Sequence, residues 1–268
     1  MILEYTFMQN ALLGSLLASI ACGLVGTYIV SRRLVFISGG ITHASFGGIG
    51  IGVYFGLNPI ITAMAFAVAG ACGVRWMAGR GRVREDSAIA VTWTLGMSLG
   101  IMLSFMTPGF MADLPSYLFG SILAIGPADL WLLGAVAALV ALTFATAMRT
   151  IVCTAFDPVF ARSQGLPVAA VEYAMMALTA MTVVATLRLV GIVLAMSLLT
   201  MPQMAANLFT SSFGRMAWLS MAFSAAYCMA GLAVSWWLNV PSGASIIFVS
   251  IIIYAALRAI KSIAGKLM

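Results

Sequence analysis

Residues 35–56 read VFISGGITHASFGGIGIGVYFG. A helix needs about 20 apolar residues to cross the ~30 Å hydrocarbon core of a bilayer, and this stretch supplies them. Near its middle sits His43, the only histidine among 268 residues. An ionisable group at bilayer depth is costly, so it faces a partner or a polar pathway rather than lipid. Positions four apart on a helix lie on nearly one face. Gly40, Ala44, Gly48, Gly52 and Gly56 therefore form one ridge, and small residues at this spacing let a second helix pack closely. A neighbouring face carries Gly39, His43 and Gly47, with Gly50 nearby. Glycines one turn either side of the ring leave volume around it, as a lined passage requires. Thr42 and Ser45 add hydroxyls beside it. The alternative is that the glycines only pack and His43 gives one hydrogen bond to a neighbouring carbonyl.

Outward from this stretch the chain keeps the same character. It is 63% apolar and 7% charged, with a mean hydropathy of +1.12. A soluble fold cannot build its polar shell from so few charges. The reading is an all-α, polytopic helical bundle in a membrane, one domain over residues 1–268. Spans are expected near 8–30, 35–56, 59–79, 87–107, 129–148, 169–187, 190–209, 216–237 and 243–260, nine in all, with eight or ten as neighbouring counts. The opening Met1–Glu4 has no basic segment, so the first apolar run is expected to be a retained span. Pro202 falls inside the seventh span and is expected to kink or break it.

The 13 basic residues sort by side. Arg32, Arg33, Arg75, Arg80, Arg82, Arg84, Arg149, Arg162, Arg215, Arg258, Lys261 and Lys266 follow odd-numbered spans; Arg188 alone follows an even one. By the positive-inside rule the crowded side is cytoplasmic, which puts the amino terminus outside and the carboxyl terminus inside. The net charge of +6 therefore sets topology and gives no reason to expect nucleic acid as a partner.

Two connections are longer than a tight turn. Between Thr107 and Pro127, the apolar segment Leu114–Ile125 is too short to span and favours a re-entrant or interfacial helix. Between Arg149 and Val168, Asp157–Pro158 can cap and start a short helix, which Gly165 and Pro167 would end. Such a helix on the cytoplasmic side either docks a partner or merely connects two spans.

The chemistry available is sparse. Neutral imidazole binds zinc, copper, iron and nickel, but one imidazole is not a closed site. Nineteen methionines could offer soft ligands, although membrane helices use methionine freely as filler. Cys22, Cys72, Cys153 and Cys228 form no CxxC pair and read as small packing residues.

These residues bear a family likeness. Arg32–Arg33 leading into GGITHAS at 39–45, LNP at 57–59, REDSAI at 84–89, YLFGSILA at 117–124, residues 157–165, VGIVLAMSLLTMP at 190–202 and PSGAS at 241–245 together resemble the membrane permease of bacterial zinc, manganese or iron ABC importers. The resemblance implies a permease homodimer, a cytoplasmic ATPase dimer and an extracytoplasmic metal-binding protein, in the bacterial inner membrane. It implies that residues 157–166, with Asp157, Phe160, Arg162, Gly165 and Leu166, present a coupling helix to the ATPase. It places the metal pathway at His43, with Gly39, Thr42, Ser45 and Gly47 around it. The family pattern has Asp where this chain has Gly39, so the carried-over metal position is His43 alone. Zinc is the first choice of cargo over iron or manganese, and no permanently bound cofactor is expected.

Two other classes compete. An ion-coupled secondary transporter shows internal repeats and intramembrane carboxylates; here the seven acidic residues fall in loops or near span ends. An intramembrane enzyme needs a nucleophile–base pair or a metal cluster. No GxxxxGK[ST] phosphate loop is present, so an ATP-driven system must hydrolyse ATP on a separate subunit.

Overall fold

The computed structural model describes residues 6–80, 83–107 and 125–267, without the side chains of residues 80, 188–190, 192 and 264–267. In chain order the helices are α1 (Thr6–Ser31), α2 (Val35–Tyr54), α3 (Pro59–Arg80), α4 (Glu85–Met106), α5 (Pro127–Phe156), α6 (Pro158–Ser163), α7 (Val168–Leu198), α8 (Met201–Phe209), α9 (Phe213–Leu238) and α10 (Ser242–Leu267). The described residues contain no strand. Eight of these helices are long and apolar enough to cross a membrane. Most of the expected re-entrant segment, residues 114–124, lies outside the described residues.

Helices α1 and α2 form the centre. Of their apolar windows 72% and 78% is buried, against 17–28% for α3, α4, α5 and α10. Backbone polar groups in lipid must be satisfied within the segment, which is why the chain uses helices throughout. Several helix ends are closed by left-handed residues. At the end of α2, Gly56 has φ +67°; its N–H bonds Val53 O and the Leu57 N–H bonds Gly52 O. That is a Schellman stop. Gly56 therefore caps the helix and does not extend the packing ridge as expected. The i, i+4 pattern simply overran the helix end.

The expected seventh span is not one helix. Gly191 breaks α7 with φ 73° and ψ 173°. A turn at Leu199 and Thr200 then separates α7 from α8. Pro202 lies in the first turn of α8, where its missing N–H costs nothing. It marks the break from the far side and does not kink a continuous helix.

The ends of the bundle can be assigned from contacts. Arg32 after α1, Arg75 late in α3 and Glu172 early in α7 meet at one end. At the other end, Met8 of α1 and Asn239 after α9 line one small cavity, and the Asn10 amide donates to Ile125 O at 3.2 Å. The starts of α7 and α9 thus share the Arg32 end. The chain between them goes out along α7 and returns through residues 193–209, so that among the described residues the eight long helices and this shorter segment lead from the start of α1 to the end of α10 at the opposite end. Cysteines placed at Ser163 and Asn239, one near each end, should react with impermeant thiol reagents from opposite faces of sealed vesicles. Labelling of both from the same face would refute this path.

Candidate functional site

Helix α2 holds six glycines, each costing roughly 0.5–1 kcal/mol relative to alanine in a helix. Close contact makes them necessary. A Cβ at Gly48 would lie 2.5 Å from Thr62 O and 2.6 Å from Ala63 Cα on α3. At Gly52 it would lie 2.7 Å from Pro59 Cα, and at Gly40 it would strike the Ile89 side chain. On the α4 side, a Cβ at Gly96 would come within 2.5 Å of Ala44 Cα and Ala44 O. The ridge of Gly40, Ala44, Gly48 and Gly52 is therefore a packing ridge, gripped by α3 and α4.

The face around His43 is tighter than its glycines imply. A Cβ at Gly47 would lie 2.8 Å from Gly96 O and 3.2 Å from Phe66 Cε1. At Gly39 it would lie 2.8 Å from Met196 Cε. Neighbouring helices fill the volume that spacing alone leaves open, so these glycines pack as well. Thr42 and Ser45 are fully buried and donate to their own helix, Thr42 to Ser38 O at 2.5 Å and Ser45 to Thr42 O at 2.6 Å.

His43 itself is half-buried. Its ring stacks on Trp93 of α4, with centroids 4.5 Å apart and planes 3° from parallel. Its Nδ1 is buried and has no hydrogen-bond partner among the described residues, so the simple carbonyl bond of the alternative reading is not made at that atom. The stack fixes one side of the ring and leaves a ring nitrogen uncommitted. Among the described residues, no three His, Cys, Asp or Glu side chains cluster in a metal-binding arrangement. An open cleft of about 860 Å³ lies elsewhere, between α3, α5 and α7. Asn58, Met64, Asp129 and Met181 line it and His43 does not. Its carboxylate is already used: Asp129 caps α5 by accepting from Gly126 N at 3.1 Å.

Helix α6 forms as its sequence dictates. The Asp157 carboxylate accepts from Val159 N at 3.1 Å and Phe160 N at 2.9 Å, and Pro158 opens the first turn. Gly165, with φ +74°, closes the helix: its N–H bonds Arg162 O, and the Leu166 N–H bonds Ala161 O, both at 3.0 Å. Only Ala161 is buried. Phe160 and Arg162 are exposed and Leu166 is half-buried. A short, doubly capped helix with exposed apolar residues is a rigid protrusion suited to docking.

Sequence reasoning missed the ionic centre beside α6. Glu172 lies one turn into α7 with its side chain 4% exposed. Arg32 of the α1–α2 turn donates to its Oε1 at 3.0 Å. Arg75 of α3 donates to Oε2 through Nε at 2.9 Å and also through its terminal nitrogen. A buried carboxylate is tolerated only when it is paired in this way. Its nearness to a span end was legible, but its partners, 140 and 97 residues away, were not.

A multi-pass helical bundle with one basic end and a capped protrusion beside it fits a transporter's membrane subunit. The chain belongs to the ABC 3 transport family, whose pattern matches residues 4–261. It is 41% identical to an uncharacterised membrane protein of Synechocystis over 94% of this chain and 90% of that one. It is 34% identical to the manganese transport system membrane protein MntC of Halalkalibacterium halodurans over 95% and 87%. The solved structure of PsaBC from Streptococcus pneumoniae in complex with Fab superimposes with a TM-score of 0.85 at 28% identity, covering 96% of this chain and 92% of that one. This chain is accordingly the non-catalytic permease of a metal ABC importer, and ATP hydrolysis belongs to a separate subunit.

The packing account makes a paired prediction. Gly96→Leu should destabilise the detergent-solubilised protein by about 1–3 kcal/mol or more, because a side chain there meets α2 backbone that cannot yield. Gly73→Ala, where nothing lies within 4 Å of a Cβ, should be neutral or stabilising by up to about 1 kcal/mol. Thermal midpoints that fall equally in both would contradict it.

Proposed function

We propose that the cargo is manganese, taken inward past His43 between two copies of this chain. The cargo reading rests on kinship: relatives named as manganese transport proteins share 32–34% of residues over nearly the whole chain. This displaces zinc as first choice, since a lone imidazole separates the two metals poorly. Manganese favours oxygen ligands, and residue 39 supplies none. Weak, transient contact at His43 fits rapid passage, with retention left to an extracytoplasmic metal-binding protein.

The homodimer is supported by the ring's position. In a single chain His43 is only half-buried beside Trp93, itself 37% exposed. An imidazole facing lipid is costly, so a second copy covering this face both shields the ring and supplies the other wall of a passage. The Arg32–Arg75 end is the cytoplasmic one by the positive-inside rule. That puts the amino terminus outside, the carboxyl terminus inside and α6 toward the ATPase dimer, in a bacterial inner membrane.

Uptake of labelled manganese, zinc and iron into cells carrying the intact transporter tests this reading. Manganese should accumulate fastest, and His43→Ala should lower its uptake at normal expression. A Cβ at Gly39 meets only the flexible end of Met196, and Gly39→Asp would add a carboxylate one turn from His43, so the purified permease should retain more metal. Uptake by His43→Ala equal to wild type, with no extra metal on Gly39→Asp, would remove His43 from the pathway. At the docking end, Gly165→Pro or Asp157→Arg should leave the permease in the membrane but sever ATP hydrolysis from transport. Full coupling in both would place the ATPase elsewhere.

A further inference from the structure

We infer that Glu172 is the positioning residue through which movement of α6 reaches α1 and α3. The inference rests on the transporter reading above and adds the residue that carries the force. Helix α6 is short and touches the bundle mainly where it joins α5 and α7. Both joints run to the same side chains. On the α7 side, Glu172 lies four residues after Val168, the first residue of α7. Its two carboxylate oxygens are divided between helices, Oε1 to Arg32 and Oε2 to Arg75. On the α5 side, Arg32 also reaches Thr154 O at 3.4 Å and Ala155 O at 3.5 Å, just before Asp157 caps α6. One guanidinium thus bridges the segments entering and leaving α6, and one carboxylate joins that bridge to α3.

The charges make the joint stiff. Two guanidinium groups, each about one-fifth exposed, would repel each other without the carboxylate between them. With it, displacement of the start of α7 must drag α1 and α3 or separate opposite charges in a poorly hydrated place. Arg32 stands at the turn into α2 and Arg75 on α3, which grips α2 at Gly48 and Gly52. A push on α6 is thereby conveyed to the helix that carries His43. Packing alone does not require these charges, since apolar side chains of similar volume could fill the same space.

The test uses the complete permease–ATPase complex in proteoliposomes, supplied with its metal-loaded binding protein, with manganese delivered per ATP hydrolysed as the readout. Glu172→Gln should keep the ATPase bound and its basal hydrolysis within about twofold, while manganese delivered per ATP falls at least about tenfold. Glu172→Asp, which keeps the charge, should recover a substantial part of that ratio. Glu172→Gln combined with Arg75→Gln should transport no worse than Glu172→Gln alone, because residues acting through one contact are not additive. An unchanged ratio in Glu172→Gln, loss of the ATPase subunit from that complex, or additive losses in the double variant would each overturn the inference. A wild-type complex that hydrolyses ATP but moves no metal would instead overturn the transporter reading itself.

Discussion

Everything in this fold depends on how closely α2 is held by its neighbours. Six glycines along 20 residues bring the backbones of α3 and α4 against it at distances no Cβ would permit. Relative to alanine they cost roughly 3–6 kcal/mol of helix propensity, a loss that close packing must offset. In lipid there is little hydrophobic gain from bringing helices together, so van der Waals contact between close backbones carries the association. The result is a tightly packed central helix whose one histidine, His43, stacks on Trp93.

Charge is used sparingly. The ionic cluster Arg32–Glu172–Arg75, built on a buried carboxylate, sits at the end that carries α6 and ties three helices there. By contrast, the exposed pair Arg84–Asp86 links neighbours in sequence and contributes little. Hydroxyls in the spans mostly return to their own helix, as at Thr42, Ser45 and Thr186. A longer reach is made by Gln203 of α8, whose amide donates to Cys22 O across the α1 interface at 2.9 Å. That bond anchors the segment returning after Gly191.

Much of this was legible in the sequence. Hydropathy gave the bundle, because it is a property of composition along a line. Residues 157–166 predicted a capped helix because capping is local chemistry. The failures share a cause. Spacing places Gly39, His43 and Gly47 on a face but cannot say that Met196, Gly96 and Phe66 cover it. The i, i+4 rule counted Gly56 into a ridge although the chain had already turned. The run from Leu189 to Pro202 is evenly apolar, so a breaking glycine at 191 left no dip in hydropathy. Glu172 looked like a span-end acid until its distant partners were seen. The identity of the metal was not legible either, because one imidazole does not separate zinc from manganese.

The central claim is that His43 stands on a water-accessible route through the membrane. Its most direct test is the thiol reactivity of His43→Cys in the assembled transporter, with the partly exposed Cys72 and Cys153 replaced by serine and the buried Cys22 and Cys228 retained. The account predicts modification by a small, charged, water-soluble reagent, from one side of the membrane at a time, with the reactive side switching as nucleotide binds. A cysteine at this position that reacts only with lipid-soluble reagents, or with none in any nucleotide state, would contradict it.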